Sequence, residues 1–519
     1  MAPFKVIIVG GSVAGLALAN MLERYEIDFV VLEKHENIAP DLGACLGLLP
    51  NGLRIMDQLG CYEKILECSV PLNLLNSYDE NGDAINKMSE VGVWMESLFG
   101  YKSLNQDRQQ VIDVLFNNIR DKTKVHTSRG LEKIHPLPNG VKVKTADGSV
   151  YEGDIVVGAD GVHSRVLDEM QRLAEIDTPN SKKFTRDNFE CTYRALVCIG
   201  PRPKGIREDE GIKNCRKGRS HLCLSGQNGK WYFNIFEKTE HKTRGSSIPR
   251  YTKSDAHAMA SAYANDILIP GVTFGDLYKN RTSSMLLPVE EGVLPRCFYN
   301  RIILVGDSYH KSTPLFGQGG NNCIVSAAYL ANKLHSIKSY DSKPDDELIQ
   351  NIFQNFQDTR HPETSLIATL GNRIQRLDAF ENPVMKFINM KVLPELSSHY
   401  IWHAMAQAHT STWLLDYLPF PSPSHGMLPS RNEIWLKPQV RCGKTNKVWM
   451  GLLILPLLAF SAIFWERNNQ SPLSSVDTAS RLDNEKAENL YFHLLDTAVT
   501  GFIAIESNRA TYSMKLIGR

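Results

Sequence analysis

Apolar positions open the chain as a short run, Phe4-Lys-Val-Ile-Ile-Val9, which gives way to a glycine turn. They then recur at helical spacing through Val13-Ala-Gly-Leu-Ala-Leu-Ala-Asn-Met-Leu-Glu-Arg-Tyr25 before a second run, Asp28-Phe-Val-Val-Leu-Glu-Lys34. This order predicts strand, helix, strand, the start of a βαβ unit. Short apolar stretches over 72–94, broken by Asn81-Gly82-Asp83, predict a hairpin belonging to another part of the fold. Helical spacing returns over 106–119 through Val111, Leu115 and Ile119, and a hairpin about Asp147-Gly148 leads to a buried strand at 155–157 ending in Gly158-Ala-Asp-Gly161. From 184 to 287 strand patterns dominate: Tyr193, Ala195, Val197 and Ile199 alternate with Thr192, Arg194, Leu196 and Cys198, which describes a sheet with two chemically distinct faces. A buried strand at 301–305, Gly306-Asp307 and a helix over 321–335 follow, and 345–430 is mostly helical and amphipathic, stopping in a Pro-rich stretch at 418–423.

The C-terminal part has a different pattern. Residues 448–465, VWMGLLILPLLAFSAIFW, carry no charge, have a Trp at or next to each end, and are flanked by Lys447 and Glu466-Arg467. That length and those aromatic ends predict a transmembrane helix, with a buried C-terminal helix kinked at Pro456 as the alternative. Lys437, Arg441, Lys444 and Lys447 precede the span, so the preceding chain is expected in the cytosol, with the endoplasmic reticulum as the expected membrane. The polar residues 466–519 carry no readable function.

Composition narrows the classes further. A length of 519 residues and 42% hydrophobic content accommodate several buried cores, and Lys+Arg of 58 against Asp+Glu of 57 supplies no field for nucleic acid. Ten cysteines without a C-x-x-C pair read as reduced thiols, with neither a zinc site nor a disulfide framework. Phe4 to Val9 already reads as a buried strand, so no N-terminal export signal is expected.

Two glycine-rich turns carry the chemistry. Gly10, Ser12 and Gly15 occupy the three positions of G-x-G-x-x-G, with Ser in the middle, where backbone N–H groups at a helix N-terminus suit a pyrophosphate. Glu33 ends the second strand, where a carboxylate can bind a ribose with free hydroxyls. Alone, this unit leaves NAD, or nothing, as the alternative. The second turn, Gly306-Asp307 with Pro314 and Gly317-Gln-Gly319-Gly320-Asn321, adds a strand-end acid for ribityl hydroxyls and a loop that lets backbone approach a flat ring. Together the turns suggest one long dinucleotide held from both ends, FAD.

With GGSVAG, Gly158-Ala-Asp160-Gly161 plus Arg165, and GDSYHKSTPLFGQGGN in that order, the chain resembles the single-component FAD-dependent monooxygenases of the para-hydroxybenzoate hydroxylase class over about residues 4–380. The resemblance implies an α/β fold: an FAD-binding Rossmann-like domain of the GR2 type (1–75, 100–180, 285–380) with an inserted mixed-sheet substrate domain (76–99, 181–284). C-terminal helices (381–445), one transmembrane helix (448–465) and a polar tail (466–519) complete it. It also implies cofactor contacts at Glu33, Gly47, Arg108, Asp160, Asp307, Pro314, Gly317, Gly319 and Gly320. Arg108 opens a predicted helix and suits a pyrophosphate, or is a solvated surface arginine. Arg194 and Tyr232 match positions placed near flavin and substrate; the alternatives are a structural ion pair and a core aromatic. His310 and Pro314 would line the flavin. Tyr309 stands where the family usually has a small residue, and Val325-Ser326 replaces an acidic pair-mate.

No second G-x-G-x-x-G turn follows another strand, so NADPH or NADH is expected as a transient co-substrate. The resemblance implies a reduced flavin that reacts with O2 to a C4a-hydroperoxide and passes one oxygen atom to an electron-rich carbon. The hydrophobic C-terminal segment extends the resemblance to the fungal monooxygenases that epoxidise the prenyl chain of meroterpenoids and indole diterpenes, whose lipophilic substrates partition into bilayers. A ring hydroxylase acting on a salicylate-like phenol, a flavin-dependent prenyl reductase and a non-catalytic membrane-tethered flavoprotein remain open alternatives.

Overall fold

The computed structural model describes residues 4–40, 45–88, 90–179, 184–339, 344–395 and 413–421, all within one compact unit, Met1–Lys437. The transmembrane span read at 448–465 lies outside the described residues, and among those described no helix is long and apolar enough to cross a membrane.

The first strand, Lys5–Val9, sits in the middle of a six-stranded sheet. It pairs in parallel with Asp28–Leu32 on one side and Ile155–Gly158 on the other. Ile302–Leu304 extends the sheet in parallel, and Phe298–Tyr299 and Val125–His126 form its edges. These strands are near-continuous apolar runs because helices cover the sheet. Leu16 and Leu18 of the helix Val13–Arg24 and Ile324 and Leu330 of the helix Gly319–His335 are fully buried in the same core as Val6, Ile8 and Val31.

The second sheet has eight strands in the order His310–Lys311, Ser283–Val293, Glu190–Pro201, Lys230–Arg244, Arg219–Ser225, Glu210–Arg216, Leu74–Tyr78 and Ala84–Met88. The hairpin read over 72–94 supplies its last two strands, but it closes early, because Val91–Phe99 is a helix. Alternation along Glu190–Pro201 separates two cores as expected. Leu196 and Cys198 pack with Trp231, Phe233, Ile235 and the helix Lys253–Ala262, whereas Tyr193 and Ala195 pack with Phe236, Val289, Ala379 and Leu315. Leu315 belongs to the Pro314–Phe316 turn, so the Tyr193 face is the one directed at the second glycine loop.

The amphipathic region after 345 opens with a long helix, Asp346–Asp378, with Pro362 inside it, and continues in the short helix Pro383–Phe387; 396–412 and 422–430 of the expected helical stretch lie outside the described residues. Along the long helix, the buried residues Ile349, Phe353, Phe356, Arg360, Thr364, Ile367, Gly371, Gln375 and Asp378 form one stripe at three- and four-residue intervals. Gly371 meets the glycine loop, where an added Cβ would stand 2.9 Å from Thr313, while Asp378 pairs with Lys213 of the eight-stranded sheet (2.8 Å). One helix therefore bridges the loop and the sheet. The nine described cysteines are all free.

Candidate active site

The first glycine turn is as tight as its sequence requires. Gly10 adopts φ +109° and an added Cβ would lie 2.4 Å from the Ala159 carbonyl oxygen; at Gly15 it would lie 1.9 Å from that of Gly10. No side chain fits either position, so the loop backbone and the N-terminus of Val13–Arg24 remain accessible to a phosphate. Glu33 is buried, and its carboxylate accepts from the N–H groups of Gly11 (2.7 Å) and His35 (2.9 Å), which fixes it at the end of the second strand. Ser12 replaces the middle glycine at no apparent cost in space: its hydroxyl accepts from Arg108 Nη2 at 2.6 Å, drawing the guanidinium onto the turn.

The second turn packs directly on the first. Gly306, at φ +65°, brings the backbone so near the first helix that a Cβ would meet Ala14 Cβ at 3.0 Å. Asp307 forms an ion pair with Lys311. Burial opposes its ionisation, but the Lys311 ammonium, with a smaller contribution from Arg108, outweighs burial and leaves the carboxyl below its ordinary pKa. Arg108 thus stands within electrostatic reach of both turns, which share one cradle.

The loop beyond is held by amides. Gly317 takes φ +64°, and Asn321 Nδ2 donates to the carbonyls of Gly317 (2.7 Å) and Gly47 (2.9 Å) while its Oδ1 accepts from the Leu49 N–H (2.9 Å). Gly47 contributes that carbonyl rather than a lack of side chain, since an added Cβ would meet nothing nearer than 3.7 Å. Gly319 faces open space, Gly320 abuts Leu46, and Pro314 is exposed at the loop. The helix begins at Gly319, two residues before its expected start, so its first N–H groups belong to the glycine loop. A backbone cradle shut to Cβ atoms, a fixed carboxylate at the second strand and an arginine beside a second acid fit the two ends of FAD. Glu33 would hold the adenosine ribose, Arg108 the pyrophosphate and Asp307 the ribityl chain; bound there, FAD supplies the redox and oxygen chemistry.

Four of the expected residues have side chains engaged by the protein itself. The Asp160 carboxylate is committed to its own helix, accepting from Ser164 Oγ (2.5 Å) and from the N–H groups of Arg165 (2.7 Å) and Val166 (3.1 Å), so it shapes the turn. Arg194 shares the face of Leu196 and Cys198, away from the glycine loop, and pairs with Glu237 at 2.5 Å over the Tyr251 ring. Tyr232 faces the loop side of the sheet, but its hydroxyl donates to Asp107 Oδ1 (2.7 Å), and Lys230 holds the other oxygen of that carboxylate. It is a clasp between the sheet and the residue preceding Arg108. His310 turns both nitrogens into the protein, one to Ser326 Oγ (2.9 Å) and one to Asn322 Nδ2 (3.1 Å); burial, reinforced by Arg360, lowers its pKa to about 3, so it is neutral and keeps no ring nitrogen free. Arg360, which sequence reasoning missed, is 1% exposed and also binds Asn322, Ser326 and Glu363. The departure at Ser326 now has a reason: a hydroxyl, where an acid is usual, serves a histidine and an arginine together. Tyr309 is wholly buried, its ring edge-on to His310 and tilted against Phe356.

Fold and cradle together define a flavoprotein oxygenase. Residues 3–182 match the family model described as an FAD binding domain. The chain is 34% identical over 478 residues to FAD-dependent monooxygenase asqG of Emericella nidulans, covering 91% of this chain and 84% of that one. It is 33% identical to FAD-dependent monooxygenase cle3 of Aspergillus versicolor, over 88% and 92% of the two chains. In fold it is similar to Klebsiella pneumoniae HpxO complexed with FAD and uric acid, with TM-score 0.64 at 18% identity over 79% of this chain and 97% of that one. The chain belongs to the FAD-dependent monooxygenases.

Proposed function

We propose that this enzyme epoxidises the terminal olefin of a prenylated, lipophilic acceptor of the meroterpenoid or indole-diterpene kind, consuming O2 and NADPH or NADH, in secondary-metabolite biosynthesis. The observation that carries this reading is the apolar surface on the loop-facing side of the eight-stranded sheet. Val197, Leu222, Phe236 and Leu315 line it, and Met285 and Leu287 stand 43% and 41% exposed on the neighbouring strand Ser283–Val293, in register with Val197 and Ala195. Exposed large apolar side chains continuous with a buried apolar patch suit a hydrocarbon ligand. The protein's part is to exclude water and hold the alkene; no side chain at this face need gain or lose a proton for oxygen-atom delivery to a carbon–carbon double bond.

Membranes containing the full chain, supplied with NADPH and prenylated aromatics under 18O2, should yield a product with one labelled oxygen and an epoxide. A ring-hydroxylated product, or a reduced alkene without label, would overturn the reading. The anchor at 448–465 is part of the same proposal: it concentrates the enzyme where lipophilic substrates partition, on the cytosolic face of the endoplasmic reticulum. Deleting 448–465 should move the protein from the carbonate-resistant membrane fraction to the supernatant.

A further inference from the structure

On the loop-facing side of the eight-stranded sheet, three buried side chains carry polar atoms with no hydrogen-bond partner among the described residues: Tyr193 Oη, Asn234 Oδ1, and both Nε2 and Oε1 of Gln375. Gln375 and Tyr193 are each 1% exposed and Asn234 is 8% exposed. Gln375 lies on the buried stripe of Asp346–Asp378 between Gly371, which touches Thr313 of the glycine loop, and Asp378, which touches the sheet. An apolar residue would fill that helix position at no cost, whereas a buried amide with neither end bonded is strongly unfavourable unless something else meets it. Tyr193 packs with Phe236 and Ala379, the residue after that helix, and its hydroxyl senses the charges of Glu381, Arg376, Glu291 and Asp378. Tyr193 and Gln375 therefore border one region between helix and sheet.

The charges there select the ligand. Each neighbouring cation is already paired: Lys213 with Asp378 (2.8 Å), Arg376 with Glu381 (3.0 Å), and Lys238 with Glu381. Glu291 receives an amide from Asn372 (2.8 Å) and has its pKa raised by burial. Oxygens of Glu291 and Asp378 also lack partners, so the spare bonding capacity is rich in acceptors and, among the described residues, holds no unpaired cation for an anion.

We propose that Gln375 and Tyr193 form the head-group subsite of the substrate chamber, taking a neutral N–H or O–H donor such as an amide or lactam, while the hydrocarbon chain lies along Val197, Leu222 and Phe236 toward Leu315. The assignment rests on the proposed acceptor class and excludes carboxylate head groups.

The test uses the FAD-loaded full chain in detergent and reads substrate-induced change in flavin absorbance. The probes are a prenylated bicyclic lactam, its N-methyl derivative and salicylate. The wild type should bind the N–H lactam about 10-fold or more tighter than the N-methyl form and should not bind salicylate detectably. Gln375→Leu should retain FAD and its melting temperature yet bind both lactams alike, and Tyr193→Phe should narrow the preference in the same direction. Tight salicylate binding, no lactam-induced change in the wild type, or an unchanged N–H preference in both variants would overturn the proposal. Loss of the preference in Gln375→Leu together with a ring-hydroxylated product from the wild type would sink the epoxidase reading and leave the subsite standing.

Discussion

Tyr232 separates a structural account of this site from a chemical one. Its hydroxyl donates to Asp107 Oδ1 at 2.7 Å, Lys230 holds the other oxygen, and the N–H of Asp107 donates to Gln110 Oε1 at 3.1 Å as the helix Arg108–Asn118 begins. The next residue, Arg108, reaches Ser12 of the first glycine turn. Tyr232→Phe removes one hydrogen bond to a carboxylate, a loss of about 1.5–3 kcal/mol. Lys230 is 38% exposed on its side chain, so Lys230→Met should lose less than about 1 kcal/mol. At about 2 °C per kcal/mol for a large unit, Tyr232→Phe should melt roughly 3–6 °C below wild type and release FAD more readily, because the helix carrying Arg108 is no longer tied to the sheet. The assay is thermal unfolding of holoenzyme, followed in parallel by flavin fluorescence and far-UV circular dichroism, with kcat measured well below the transition. If Tyr232→Phe melts with wild type and retains flavin while kcat falls by about 100-fold, the scale of a lost proton-transfer group, the clasp is wrong and the hydroxyl acts on substrate.

Gly15→Ala should yield apoprotein without the visible flavin band, since its Cβ would stand 1.9 Å from a carbonyl oxygen, whereas Gly47→Ala, with its nearest atom at 3.7 Å, should purify yellow and as stable as wild type. His310 supplies an acid sensitivity of calculable sign. Its folded pKa of about 3 lies below the ordinary 6.5, so between these values the unfolded chain holds a proton that the native state does not. That contribution is complete above about pH 6.5 and declines as pH falls toward 3, by about 5 kcal/mol at most. Urea midpoints from pH 4 to 8 should therefore fall less steeply with acid in His310→Gln than in wild type, and equal slopes would refute the assignment. Arg360→Met should lose about 3–5 kcal/mol in the same measurement by removing the buried guanidinium from the largely buried Glu363 carboxylate, and adding Glu363→Leu should restore much of it; an additive double variant would show that the two charges do not couple.

These residues also mark where the sequence ceases to be informative. The glycine turns were legible because each demand is local: a positive φ, a close carbonyl and an acid ending a strand all fall within one short window. The partners of Arg194 and Tyr232 were not legible because a strand's alternation defines two faces without saying which one meets the cofactor, and both faces here are covered. The helix Lys253–Ala262 covers one and the long helix after 345 the other, so the charge at 194 found its partner at Glu237, 43 positions on, and the Tyr232 hydroxyl found Asp107, 125 positions back. The long helix carried a readable clue. Its apolar stripe of Ile349, Phe353, Phe356 and Ile367 continues in step through Arg360, Gln375 and Asp378, polar residues that a helix of this period must bury. A polar residue in register with an apolar stripe has to find a partner inside the protein or a ligand. Arg360 and Asp378 have protein partners, and Gln375 has none among the described residues, so the helical phase that marks all three as buried also singles out the one left for substrate.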